Sequence, residues 1–142
     1  MSVNVWTAAG DGDLESVKAF LVGGGDVNTK DENGYTPLQA AVSYSHMDLV
    51  VFLLASGADV KLGDDDMDTP LHRCESVECA KLLLERGADL NARNSEGQTP
   101  YDVAIEDDHE QLKMLYENLG AEKSDSIPEE EEAFPNGVDL EG

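Results

Sequence analysis

A short phrase returns along this chain at a nearly fixed step. Gly24-Gly25-Asp26-Val27-Asn28 recurs 33 positions on as Gly57-Ala58-Asp59-Val60-Lys61, and 30 further as Gly87-Ala88-Asp89-Leu90-Asn91. A Thr-Pro pair keeps the same step of 33 and then 30, at Thr36-Pro37, Thr69-Pro70 and Thr99-Pro100. Two signals that move together mark one unit copied several times. A period in this range constrains the fold strongly, because a single copy cannot bury its apolar face alone and must stack on its neighbours.

The chemistry inside each unit is that of a helix pair. Threonine before proline is a helix start: the hydroxyl can accept an orphan amide, and proline at the first helical position loses no hydrogen bond. Helices are therefore predicted to open at Pro37, Pro70 and Pro100. A second apolar stretch with spacings of three and four follows in each copy: Leu14, Val17, Phe20 and Leu21; Leu49, Val50, Leu53 and Leu54; Val77, Ala80, Leu83 and Leu84; Leu112, Leu115 and Leu119. Gly24, Gly57 and Gly87 come just after these stretches, where a left-handed residue closes a helix. The polar stretches between, such as 28–35 with Asn33-Gly34, read as turns.

Thr36-Pro37-Leu38-Gln39-Ala40-Ala41, Thr69-Pro70-Leu71-His72 and the Leu-Leu-Leu-x-x-Gly-Ala-Asp-Leu-Asn run of residues 82–91 resemble the ankyrin repeat. The opening Trp6-Thr7-Ala8-Ala9 and the shortened third unit add a likeness to short stand-alone fungal ankyrin proteins. The resemblance implies an all-α repeat solenoid, a stack of about four helix-turn-helix units with β-turn fingers on one side. The units are expected at about 3–32, 33–65, 66–95 and 96–119, so that residues 1–119 form the repeat domain.

Departures from the pattern carry expectations of their own. Three residues are missing between Cys74 and Cys79 relative to Ala41 through Val50, which predicts a first helix about one turn shorter in unit three. Met67 stands where the neighbouring units have Gly34 and Gly97. Since methionine tolerates positive φ poorly, that finger is expected to change conformation. Gln39 and Asp102 replace the family histidine kept at His72, so local hydrogen bonding is expected to differ by unit.

Charge narrows the function. The 142 residues hold 31 Asp+Glu against 9 Lys+Arg, a net charge of -22, which is the wrong sign for a phosphate backbone or an anionic membrane. No apolar run is long enough to span a bilayer, and Met1-Ser2-Val3-Asn4 lacks the features of a signal peptide. Two cysteines make no disulfide framework, so the expectation is a soluble monomer of the cytoplasm or nucleus. Residues 120–142 carry 8 acids and 1 base with Pro128 and Pro135, a composition that predicts an acidic disordered tail. Residues 1–119 keep 23 acids against 8 bases and are acidic in their own right.

Chemical sites fare poorly on spacing. Asp64-Asp65-Asp66-Met67-Asp68 lacks the internal glycine of a calcium loop and reads as a solvated finger tip. His72, Cys74 and Cys79 match no common zinc spacing, and both cysteines fall where the repeat register places packed helices. His46 and His109 stand just before second helices and read as capping or turn residues. Gly23-Gly24-Gly25 lacks the Lys-Ser/Thr of a phosphate loop, and no nucleophile has a supporting base in view. Neither catalysis nor a cofactor or metal is expected.

What remains is a surface. The resemblance implies partner contacts from the fingers and from the exposed ends of first helices. By register these are Glu32, Asn33, Tyr35 and Tyr44 in unit two, Asp65, Asp66 and Asp68 in unit three, and Glu96, Gln98 and Asp107 in unit four. Tyr35 and Tyr44 are rigid amphipathic anchors amid acids. The function expected is a non-enzymatic protein–protein interaction module whose acidic concave face binds a basic segment of its partner. An escort that shields a highly basic ribosomal or chromatin protein is the alternative.

Overall fold

Each Thr-Pro pair does open a helix, and a reciprocal pair of hydrogen bonds fixes the start in two of the three. Thr36 Oγ1 accepts the Gln39 amide at 3.2 Å while Gln39 Oε1 accepts the Thr36 amide at 3.0 Å. Thr99 and Asp102 repeat the arrangement at 3.2 and 2.9 Å. In unit three His72 Nδ1 accepts the Thr69 amide at 3.1 Å. The return bond to the threonine amide is thus shared by Gln39, His72 and Asp102.

The computed structural model describes residues 4–121. Its helices are α1 (Val5–Asp11), α2 (Leu14–Val22), α3 (Pro37–Ser43), α4 (Met47–Ala55), a 3₁₀ helix η1 (Pro70–Arg73), α5 (Val77–Glu85), α6 (Pro100–Glu106) and α7 (Glu110–Asn118). No strand occurs among the described residues. Of the acidic tail expected over 120–142, residues 122–142 lie outside them. First helices stack in the order α1, α3, η1, α6, and each packs on the second helix of its own unit. As expected from the deletion, η1 has four residues against seven in α3 and in α6.

The units differ in what their third helical residue does with its other polar atom. Gln39 Nε2 donates to the Asp68 carbonyl at 2.6 Å, and His72 Nε2 donates to the Gln98 carbonyl at 2.8 Å. Each side chain therefore ties the helix start of its own unit to the finger of the next. With Nδ1 accepting an amide, the imidazole is neutral and carries its proton on Nε2. Asp102, an acceptor when ionised, opens the last helix pair described.

Fingers are built on Asp31, Asp64 and Asn94, each of which accepts two amides from the residues two and four positions on, at 2.8–3.0 Å. The fourth residue of each turn is left-handed: Gly34 at φ 81°, Met67 at φ 63° and Gly97 at φ 79°. Met67 therefore does not change the finger, contrary to expectation. The two Asp64 bonds and the Met67 amide on the Asp64 carbonyl at 2.8 Å hold the turn in its usual shape. The strain is borne locally, at about 1–2 kcal/mol. Neighbouring fingers are joined by backbone bonds, Asp65 N–H to the Asn33 carbonyl and Ser95 N–H to the Asp66 carbonyl. Gly34 has a second reason to be glycine, since a Cβ there would lie 2.8 Å from the Asp65 amide.

The core runs between the helix layers through Leu38, Leu71, Val50, Leu53, Ala80, Leu83, Leu112 and Tyr116. Leu119, read above as part of the last apolar stripe, caps α7 and is 51% exposed. Cys74 and Cys79 are free and buried, as their register required. Their thiols bond to each other, which raises the Cys74 thiol well above its usual range, with burial adding to the rise, and lowers that of Cys79.

Candidate interaction surface

Arg73, the last residue of η1, draws Tyr35 and the unit-three finger together. Its guanidinium lies 2.6 Å from Asp64 Oδ2 and 3.6 Å from Asp68 Oδ2, donates to the Tyr35 hydroxyl at 3.1 Å, and stands 4.7 Å from the centre of the Tyr35 ring. Burial opposes the charge, but the Asp64 hydrogen bond and the surrounding groups outweigh it and raise the basicity of Arg73. The oxygens of Asp64, Asp66 and Asp68 converge within 4.8 Å of one another. Arg73 already supplies a cation to two of those three carboxylates.

Two clefts flank this arginine. The larger, about 630 Å³, is lined by Trp6, Tyr35, Tyr44, Asp11, Asp31 and Arg73 among others. Trp6 is oriented by its indole N–H, which donates to the Thr29 carbonyl at 3.1 Å. Tyr44 is 68% exposed and presents its ring to the cleft beside Gly10. The smaller cleft, about 330 Å³, takes in Ser43, Arg73, Glu75, Glu106, Asp107 and His109.

The residues singled out from the sequence fall unevenly over this surface. Glu32, Asn33, Asp65, Asp66, Glu96 and Asp107 are exposed on fingers or at a helix end, and Tyr44 with them. Tyr35 and Asp68 are half-buried and engaged with Arg73. Gln98 is only 9% exposed and accepts from Asn94 through Oε1 and from His72 through its carbonyl, yet it still lines the smaller cleft. His46 and His109 hold the N-cap positions of α4 and α7 but do not cap with their side chains. The His46 Nε2 instead bonds to the Gly10 carbonyl at 2.8 Å and ties unit two to unit one.

Sequence reasoning missed Trp6, Asp11 and Arg73. The signal was present in the step of 33, since Asp11 stands 33 residues before Tyr44 and Arg73 stands 33 after Ala40, at the same face of the first helix.

A sequence profile describing ankyrin repeats in three copies matches residues 5–94. The chain belongs to the ankyrin repeat family. It is 38% identical over 141 residues to an ankyrin repeat-containing protein of Schizosaccharomyces pombe, covering 97% of this chain and 66% of that protein. It is 38% identical over 116 residues to an ankyrin repeat and SOCS box protein of Danio rerio, covering 80% of this chain and 38% of that one. A third relative is the ankyrin repeat, SAM and basic leucine zipper domain-containing protein of Mus musculus, 34% identical over 71% of this chain and 23% of its own length. The chain thus spans about two thirds of the first relative and less than half of the others. Ankyrin repeats are in general protein–protein interaction modules. Among the described residues no helix is long and apolar enough to cross a membrane.

Proposed function

We propose that this ankyrin protein is a non-enzymatic binding module, monomeric in the cytoplasm or nucleus, whose acidic concave face takes a basic segment of another protein. One observation carries the reading. Of the described residues lining the two concave clefts, Arg73 is the single Lys or Arg, and it is already committed to Asp64 and Asp68. Asp11, Asp31, Glu75, Glu106 and Asp107 line the same clefts and form no ion pair there. Exposed carboxylates steer a cationic chain into the face, and aromatic rings beside them offer contact area to its aliphatic stems and cationic heads.

Trp6 is the only tryptophan and lines the larger cleft, so its emission reports occupancy. A Lys/Arg-rich peptide is expected to change that emission saturably, and an Asp/Glu-rich peptide of equal length to leave it alone. Tyr44→Ala is expected to weaken the basic peptide about tenfold, by roughly 1.4 kcal/mol. Equal responses to both peptides, or to neither, would overturn the reading.

A further inference from the structure

The three fingers repeat one geometry, and one of them keeps a carboxylate where its neighbour has a carboxylate and a cation. Asp31 and Asp64 each take two amides on Oδ1, at 2.8 and 3.0 Å in both, and Asn94 takes two at 3.0 and 2.9 Å. The other oxygen of Asp64 is met at 2.6 Å by Arg73, the fourth residue of its unit's first helix. In unit four that fourth place is Val103, and the finger residue is the neutral Asn94, whose Nδ2 donates to Asp68 and Gln98. In unit two the fourth place is Ala40, and the finger residue is the acid Asp31. Asp31 thus has the turn of Asp64 without its arginine. Among the described residues its Oδ2 has neither a hydrogen bond nor an ion pair. Lys30 beside it is drawn off to the Gly63 carbonyl at 2.8 Å.

Arg73 shows what the missing cation would meet. Its guanidinium has a carboxylate at 2.6 Å and an aromatic ring at 4.7 Å, a pairing of edge and face that suits a planar cation. Around Asp31 the same two components recur, with Trp6 as the ring. Trp6 is held to the Thr29 carbonyl at 3.1 Å, two residues before Asp31, and both line the cleft of about 630 Å³ together with Ala40. Alanine at position 40 leaves open the room that an arginine side chain fills one repeat on. The other charged wall residue, Arg73, is already neutralised by Asp64 and Asp68.

We propose that this room is the subsite for one arginine of the partner, its guanidinium meeting the second oxygen of Asp31 against the Trp6 indole. The inference deepens the function proposed above and rests on it: the basic segment is held at one defined residue as well as by the general field.

The test follows Trp6 emission of the full chain during titration with Nα-acetyl-arginine amide, with Nα-acetyl-citrulline amide as the uncharged control of nearly the same shape. A saturable change is expected with the arginine probe only. Asp31→Asn removes the charge and keeps the turn, since Asn94 accepts the same two amides, and is expected to raise the apparent Kd at least about fivefold. Ala40→Arg puts the chain's own cation at the position of Arg73 and is expected to abolish the response to the probe. Should that variant fail to fold, Asp31→Asn still decides. Asp65→Asn with Asp66→Asn, on the exposed part of the next finger, is expected to leave the response to the small probe unaltered. A response equal for both probes, or indifferent to Asp31→Asn, would overturn the subsite, as would silence toward the arginine probe while a Lys/Arg-rich peptide still binds. These results leave the acidic face in place. Silence toward both the arginine probe and that peptide would overturn the subsite and the face together.

Discussion

Met67 and Tyr116 show single residues accepting a penalty that their surroundings impose. Met67 is left-handed and 57% exposed, so it has the strain of a non-glycine residue at φ 63° with little burial to lose. Met67→Gly is expected to stabilise the fold by about 0.5–1 kcal/mol in chemical denaturation, the relief of strain exceeding the added freedom of the unfolded chain. A loss of stability would mean that the Met67 side chain contributes packing. Tyr116 is 1% exposed, and its hydroxyl is bonded to no protein group. Burial first, and then the neighbouring Cys74 and Cys79, push its ionisation far above the usual range. A proton held more tightly in the folded state stabilises fully below the unfolded value of about pH 10, and that contribution is lost as pH rises beyond it. Tyr116→Phe is therefore expected to match or exceed the parent at pH 7, within about 1 kcal/mol, and to lose stability less steeply above pH 10. Parallel alkaline melting curves for parent and variant would contradict this.

At the scale of elements, stability resides between units. Leu83 in α5 is fully buried in the core shared with α4 and α7. Leu83→Ala is expected to cost about 2–5 kcal/mol through lost contacts and the cavity left behind, read as a drop in the urea midpoint. An unchanged midpoint would show that α5 is not coupled to its neighbours. The helix starts, the closing glycines and the short η1 were legible in the sequence because proline, glycine and a deletion act on the backbone where they stand. What stayed hidden depends on contacts across a repeat. Nothing local says that His46 reaches Gly10 or that Gln39 holds the Asp68 carbonyl, and local propensity misjudged Met67 because the Asp64 bonds override it. The candidate surface was half legible for the same reason. Register located the finger acids and Tyr44, whereas Gln98 is drawn inward by Asn94 and His72, and Arg73 acquires its role only when Tyr35 and Asp64 converge on it.

The molecule as a whole is strongly acidic, with a net charge of -22 over the 142 residues and 23 acids against 8 bases within residues 1–119. In the binding proposed above, a field of that sign acts before contact and Tyr35, Tyr44 and the two clefts act after it, so charge is expected to govern association and the aromatic anchors dissociation. Stopped-flow mixing with a Lys/Arg-rich peptide across a salt series separates the two. The screening length falls from about 10 Å at 0.1 M to about 3 Å at 1 M. The association rate constant is therefore expected to fall at least about tenfold over that range. Asp65→Asn with Asp66→Asn is expected to lower it at low salt, and Tyr44→Ala mainly to speed dissociation. An association rate indifferent both to salt and to the two aspartates would contradict the claim that the acidic face is a binding surface.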